Sequence, residues 1–141
     1  MNEEQAVREV LDRYRRAVLA KDVDAFVALY DAEVRVFDAW GAWSHRGIHA
    51  WRRVVTEWFG SLGPERVEVT FSEVETVVAP GLAALHAFVR YRAVGPDGAP
   101  LRALDNRISM VLRRRDAAWT IVHEHTSAPI DVAKTTPMLQ R

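Results

Sequence analysis

Apolar residues recur at helical spacing in three stretches and at strand spacing in five, and their order predicts the fold. Val7, Leu11, Tyr14 and Val18 form the stripe of a first helix, widened by Val10 and Ala17, with Arg8, Asp12, Arg15 and Arg16 outside it. Asn2 can cap this helix, and Gln5 stands at the capping-box position. A short helix restarts at Asp22 and runs through Tyr30, burying Phe26, Leu29 and Tyr30. Residues 33–38 then alternate as a strand, with Val34, Val36 and Asp38 on one face. Helical spacing returns over residues 47–59 through Ile48, Trp51 and Val55, which places Trp51 under the sheet, and Gly60 and Gly63 end that helix.

From Glu65 onward the period is two. Residues 65–78 and 82–94 read as long strands joined by a turn at 79–81, and Gly95-Pro96-Asp97-Gly98 is a second strong turn. Residues 103–113 and 119–127 form a closing hairpin around the polar turn Arg114-Arg115-Asp116-Ala117. Helix, helix, strand, helix and four long antiparallel strands make an α+β domain over residues 1–128. A long twisted sheet wrapped around a helix leaves a cone with an open mouth, where a ligand can sit. Residues 129–141 lose periodicity and are expected to run extended over the surface.

The closing hairpin carries the densest chemistry. Strict alternation puts Asp105, Arg107, Ser109 and Val111 on one face, and Leu104, Asn106, Ile108, Met110 and Leu112 on the other. On the next strand it groups Trp119, Ile121, His123, His125 and Ser127. Titratable groups among apolar neighbours read either as a pocket wall or as a solvent-facing hairpin whose charges pair. Asp38 shares its face with Val34 and Val36, so it is either a carboxylate of raised pKa suited to a general base or a cap at the strand end. Tyr14, on a buried stripe, is either core or a hydroxyl at a pocket edge. Trp40 and Trp43 form either a pocket lid or a plug for one end of the core. His123-x-His125 offers two metal ligands without a third at any metal-site spacing, so no metal is expected.

Composition narrows the function classes. The 141 residues are enough for one domain with a real core, 49% of them hydrophobic and 27% charged, as in ordinary globular proteins. Lys and Arg number 19, as do Asp and Glu, so no charge bias points to nucleic acid or an anionic membrane. There is no cysteine, hence no disulfide and no thiol nucleophile. Neither a G-x-S-x-G elbow nor a glycine-rich phosphate loop is present. The opening Met-Asn-Glu-Glu is not a basic-then-apolar leader and no apolar run nears membrane length, so a cytoplasmic location is expected.

With Tyr14 in VLDRYRRAV, Asp38 closing KDVDAFVALYDAEVRVFD, the HRGIHAW start of the third helix and WTIVHEHTS near the end, the chain resembles the NTF2-like superfamily, in its SnoaL-like and ketosteroid-isomerase-like branch. The resemblance covers nearly the whole chain and implies a cone of three N-terminal helices packed in a highly curved antiparallel sheet. It also implies a homodimer through the open sheet face, for which the Leu104/Ile108/Met110/Leu112 stripe is a candidate surface. Tyr14 falls where ketosteroid isomerases carry an oxyanion-donating tyrosine, Asp38 where they carry the proton-shuttling base, and Asp105 where they carry a protonated oxyanion donor; that enzyme's logic is an established pattern. Arg107, two residues beyond Asp105, departs from it, because a cation there favours ionised Asp105.

Two functions follow. One is an acid–base enzyme, of isomerase, cyclase or dehydratase type, working next to a carbonyl of a small apolar molecule. Tyr14, Asp38, Asp105 and His123 would be its catalytic groups, and Trp40, Trp43, Arg107 and His125 its ligand contacts. The other is a non-catalytic small-molecule binding or dimerisation module, in which Arg107 and the histidines hold a carboxylate. Neither calls for a cofactor.

Overall fold

A computed structural model describes all 141 residues. Helix α1 (Glu3–Ala20) buries Val7, Val10, Leu11, Tyr14, Ala17 and Val18. The capping box forms: the Gln5 amide donates to Asn2 Oδ1 at 2.8 Å, and the Asn2 amide donates to Gln5 Oε1 at 2.9 Å. Helix α2 (Val23–Val27), capped by Asp22, is only five residues long. It stops short of the predicted Tyr30 because Leu29 O already accepts from the Ile121 amide at 2.9 Å, starting the next strand. That strand is β1 (Tyr30–Phe37), followed by the two-residue β2 (His45–Arg46) and helix α3 (Ile48–Ser61). Gly47, at φ 86°, enters α3 with a backbone that side-chain-bearing residues rarely adopt. Gly60 lies inside α3, so the helix ends two residues later than its spacing predicts.

Four long strands follow: β3 (Arg66–Ala79), β4 (Leu82–Val94), β5 (Pro100–Arg115) and β6 (Ala118–Ser127). The sheet order is β2-β1-β6-β5-β4-β3, antiparallel throughout except that β1 lies parallel to β6. Bulges bend it, one between Ser72 and Glu75, where Glu73 takes φ 51°, and one in β6 at Val122. The curved sheet wraps α1 and α3, and one core joins them. Phe26 touches Tyr14, Tyr30, Trp58 and Phe59 edge-on or tilted at 4.8–6.2 Å between ring centroids. Trp51, Val55 and Phe59 bury the face of α3, as its spacing predicts.

The Ile108, Met110 and Leu112 stripe is inside, at 1% exposure or less. It packs in the core and is not the surface of a second copy, which removes the dimer argument drawn from the sequence. Beyond the Arg107–Ser127 pair, β6 leaves the edge of β5 free. The last residues use that edge. A small hairpin of β7 (Ile130–Asp131) and β8 (Thr136–Pro137) turns the chain, and Leu139 O accepts from the Asp105 amide at 2.7 Å. No helix is long and apolar enough to cross a membrane.

Candidate functional site

The mouth of the cone opens on a cavity of about 540 Å³. Its walls are largely apolar and aromatic. Trp51, Val54 and Trp58 come from α3, Leu62 from its C-cap, Trp40 from the loop after β1, Tyr14 from α1, Tyr91 and Ala93 from β4, and Leu104 from β5. Leu139 and Gln140 of the C-terminal segment close one side. The polar groups are few and clustered: Asp38, Glu124, Thr126, Asn106 and the two tyrosine hydroxyls, with Arg102 at the rim.

Asp38 follows the last residue of β1 and keeps the inward phase of Val34 and Val36. Thr126 Oγ1 donates to Asp38 Oδ1 at 3.0 Å and itself accepts from the Ala39 amide at 2.9 Å, which fixes the carboxyl. Burial raises the Asp38 pKa above the usual carboxylate value, partly offset by the Thr126 hydrogen bond. Tyr14 and Tyr91 share a hydrogen bond of 2.8 Å between hydroxyl oxygens. Burial raises both phenols, so both stay protonated, and whichever hydroxyl accepts in the pair keeps its own proton for a ligand.

Glu124 is 2% exposed, and its Oε1 accepts from the Tyr30 hydroxyl at 2.7 Å. Burial, with a smaller push from the charge of Asp38 and against the Tyr30 hydrogen bond, lifts its pKa to about 8. It is therefore mostly a neutral acid at pH 7, while Asp38 beside it remains the more acidic carboxyl. Arg102 is already engaged: its Nη2 lies 2.7 Å from Glu65 Oε2. The Trp51 indole nitrogen is buried without a hydrogen-bond partner. No three His, Asp or Glu side chains come together as metal ligands.

Of the residues singled out in the sequence, Tyr14, Asp38 and Trp40 line this cavity, and Asp105, Arg107, His123, His125 and Trp43 do not. One residue explains the histidines. In β6, Ile121 pairs with Leu112 and His123 with Val111, so Val122 is an extra residue. The bulge moves the inward phase from Trp119 and Ile121 to Glu124 and Thr126, and turns His123 and His125 outward against Phe37. His123 Nδ1 donates there to Arg35 O at 2.7 Å. On β5 the apolar set faces in, so Asn106 reaches the cavity and Asp105 does not. Asp105 pairs across the strands with Arg90 Nε at 2.8 Å, not with Arg107, and Arg90 holds its carboxyl below the usual range. Arg107 bonds Ser127 Oγ at 3.1 Å. Trp43 is 97% exposed on its loop, neither lid nor plug.

Glu124, Tyr91 and Asn106 were not singled out in the sequence. Tyr91 shares the inward phase of Val89 and Ala93 and was open to discovery by alternation alone. For Glu124 the signal was a break: the apolar set Trp119, Ile121 is not continued at 123 and 125, both histidine.

This combination of a curved sheet, three helices and a cone-mouth cavity defines an NTF2-like, cystatin-like fold. An NTF2-like protein of unknown function from Pseudomonas putida KT2440 superposes with a TM-score of 0.83 at 24% identity, covering 100% of this chain and 98% of that one. Aln2 from a Streptomyces species gives 0.77 at 14%, covering 90% and 92%. An NTF2-like protein with a cystatin-like fold from Novosphingobium aromaticivorans gives 0.77 at 15%, covering 94% and 86%. At these identities the likeness is one of fold. Residues 7–131 match the SnoaL-like domain, and the chain belongs to that family within the NTF2-like superfamily. No curated protein is detectably similar to it in sequence.

Proposed function

We propose that the chain is an acid–base enzyme acting on the carbon next to a carbonyl of a neutral, largely apolar small molecule. The observation that carries this reading is the convergence of Asp38, a carboxylate of raised pKa, and the Tyr14–Tyr91 hydroxyl pair on one aromatic cavity. Asp38, oriented by Thr126, takes the proton, and its raised pKa makes it the stronger base. The hydroxyl pair donates to the carbonyl oxygen as negative charge develops there. Low polarity around the pair makes that hydrogen bond count for more than it would in water. Isomerisation, aldol cyclisation and dehydration share this step. A carboxylate ligand is the weaker reading: Arg107 lies outside the cavity, Arg102 is bound to Glu65, and two carboxyls line the wall.

Binding of p-nitrophenol, an enolate mimic, followed by quenching of the cavity tryptophans, tests this reading. Tyr14→Phe should weaken binding by about 10–100-fold, the value of a hydrogen bond to a charged acceptor. Asp38→Asn should tighten binding of the phenolate by removing a like charge. Binding indifferent to both changes would overturn the proposal.

A further inference from the structure

We propose that Glu124 is the proton donor to a leaving hydroxyl, so that this cavity dehydrates a β-hydroxy ketone. The inference rests on the reading of Asp38 as base and adds the second half of the reaction. Glu124 sits in the cavity wall at 2% exposure, and the Tyr30 hydroxyl holds its Oε1, leaving Oε2 to the cavity. Its strand neighbour is Val36, so Asp38 stands two residues further along the adjacent parallel strand. Strand spacing and rise put the two Cα atoms about 8 Å apart. Both side chains line the same cavity, and this separation suits one to an α-hydrogen and the other to an oxygen on the next carbon.

Isomerisation needs one base that removes and returns the same proton. A second, neutral carboxyl could serve that reaction only by hydrogen-bonding the oxyanion, a place the Tyr14–Tyr91 pair already fills, whereas hydroxide leaves poorly unless protonated. The groups facing Glu124 keep it an acid. Tyr30 comes from β1, Tyr14 from α1 and Tyr91 from β4, all neutral phenols, and Asp38 is the one charge that acts on it. A carboxyl pair whose environments separate their pKa values divides the roles of acid and base.

The step balances without a co-reactant. Asp38 takes the α-proton, and the C–H electrons pass into the enolate that Tyr14 and Tyr91 stabilise. The enolate collapses to the conjugated double bond, the β-carbon–oxygen bond breaks, and the oxygen leaves as water with the Glu124 proton. Proton return from Asp38 to Glu124, directly or through solvent, resets the pair.

Two probes of one size separate the halves. Benzylacetone in deuterium oxide reports α-proton exchange by NMR. The aldol adduct of benzaldehyde and acetone reports elimination through the ultraviolet band of benzalacetone. Wild type should do both. Glu124→Gln keeps the volume and the acceptor for Tyr30 but has no acidic proton, and it should lower elimination by about 100-fold more than exchange. Glu124→Asp, which retains an acid, should recover part of the elimination that Gln loses. Equal loss of both reactions in Glu124→Gln, or no rescue by Asp, would overturn the assignment. Wild type that exchanges benzylacetone but does not dehydrate the adduct would overturn the dehydration alone. Wild type that does neither would overturn the Asp38 reading and this one with it.

Discussion

Asp38 and Glu124 differ less in chemistry than in what surrounds them. Asp38 is half-buried and accepts from Thr126; Glu124 is sealed in the wall and feels the charge of Asp38. For Glu124 the pKa rises from 4.5 in a free carboxyl to about 8 in the fold. Between those values the folded chain binds a proton that the unfolded chain has released. Stability from this group is therefore full below pH 4.5, falls as pH rises through the window and levels off above about 8. Glu124→Gln removes that dependence. Its stability should gain on wild type from pH 5 to pH 8, by at most about 1.4 kcal/mol per pH unit, and its melting temperature should rise relative to wild type in step. Calorimetry at several pH values checks this, and a constant gap would mean that Glu124 ionises freely.

At the scale of elements, α2 shows how little local preference decides. Five residues cannot hold a helix alone, since nucleation consumes nearly all its hydrogen bonds. What holds it is Phe26, fully buried among Tyr14, Tyr30, Trp58 and Phe59. Phe26→Ala should cost about 3–5 kcal/mol in chemical denaturation; a loss near 1 kcal/mol would mean that the cluster collapses around the gap. Elements built on strong periodicity were legible in the sequence: the stripe of α1, the buried face of α3 with Trp51, the limits of β4, and Asp38 on the face of Val34 and Val36. The site was legible only in part. Period-two reasoning assumes an unbroken ladder, and one extra residue in β6 sent His123 and His125 out and Glu124 in. On β5 the phase was right, and of its two readings the solvent-facing hairpin whose charges pair is the one that holds, because the face of Ile108, Met110 and Leu112, with Asn106, is the one that packs inward.

At the scale of the whole molecule, the C-terminal segment ties the cavity rim to the outer sheet face. The Arg141 amide donates to Asp105 Oδ2 at 2.8 Å, its guanidinium lies 3.7 Å from the Phe88 ring centroid and pairs with Glu73, and Gln140 Nε2 donates to Ala103 O at 2.8 Å. Asp105 is the node, gripping Arg90 and Arg141 together. Asp105→Ala should loosen the segment without touching the acid–base groups. Hydrogen exchange at the Arg141 and Asp105 amides should quicken about fivefold, the equivalent of an ion pair of roughly 1 kcal/mol. Unchanged exchange would mean that the Gln140 and Phe88 contacts suffice. The extra residue at Val122 reaches beyond this one chain. In a column-by-column comparison with relatives whose sixth strand is regular, it demands a one-position gap before Glu124. Without that gap, every functional residue downstream is matched to the wrong partner by one, and an outward imidazole is aligned with an inward carboxyl.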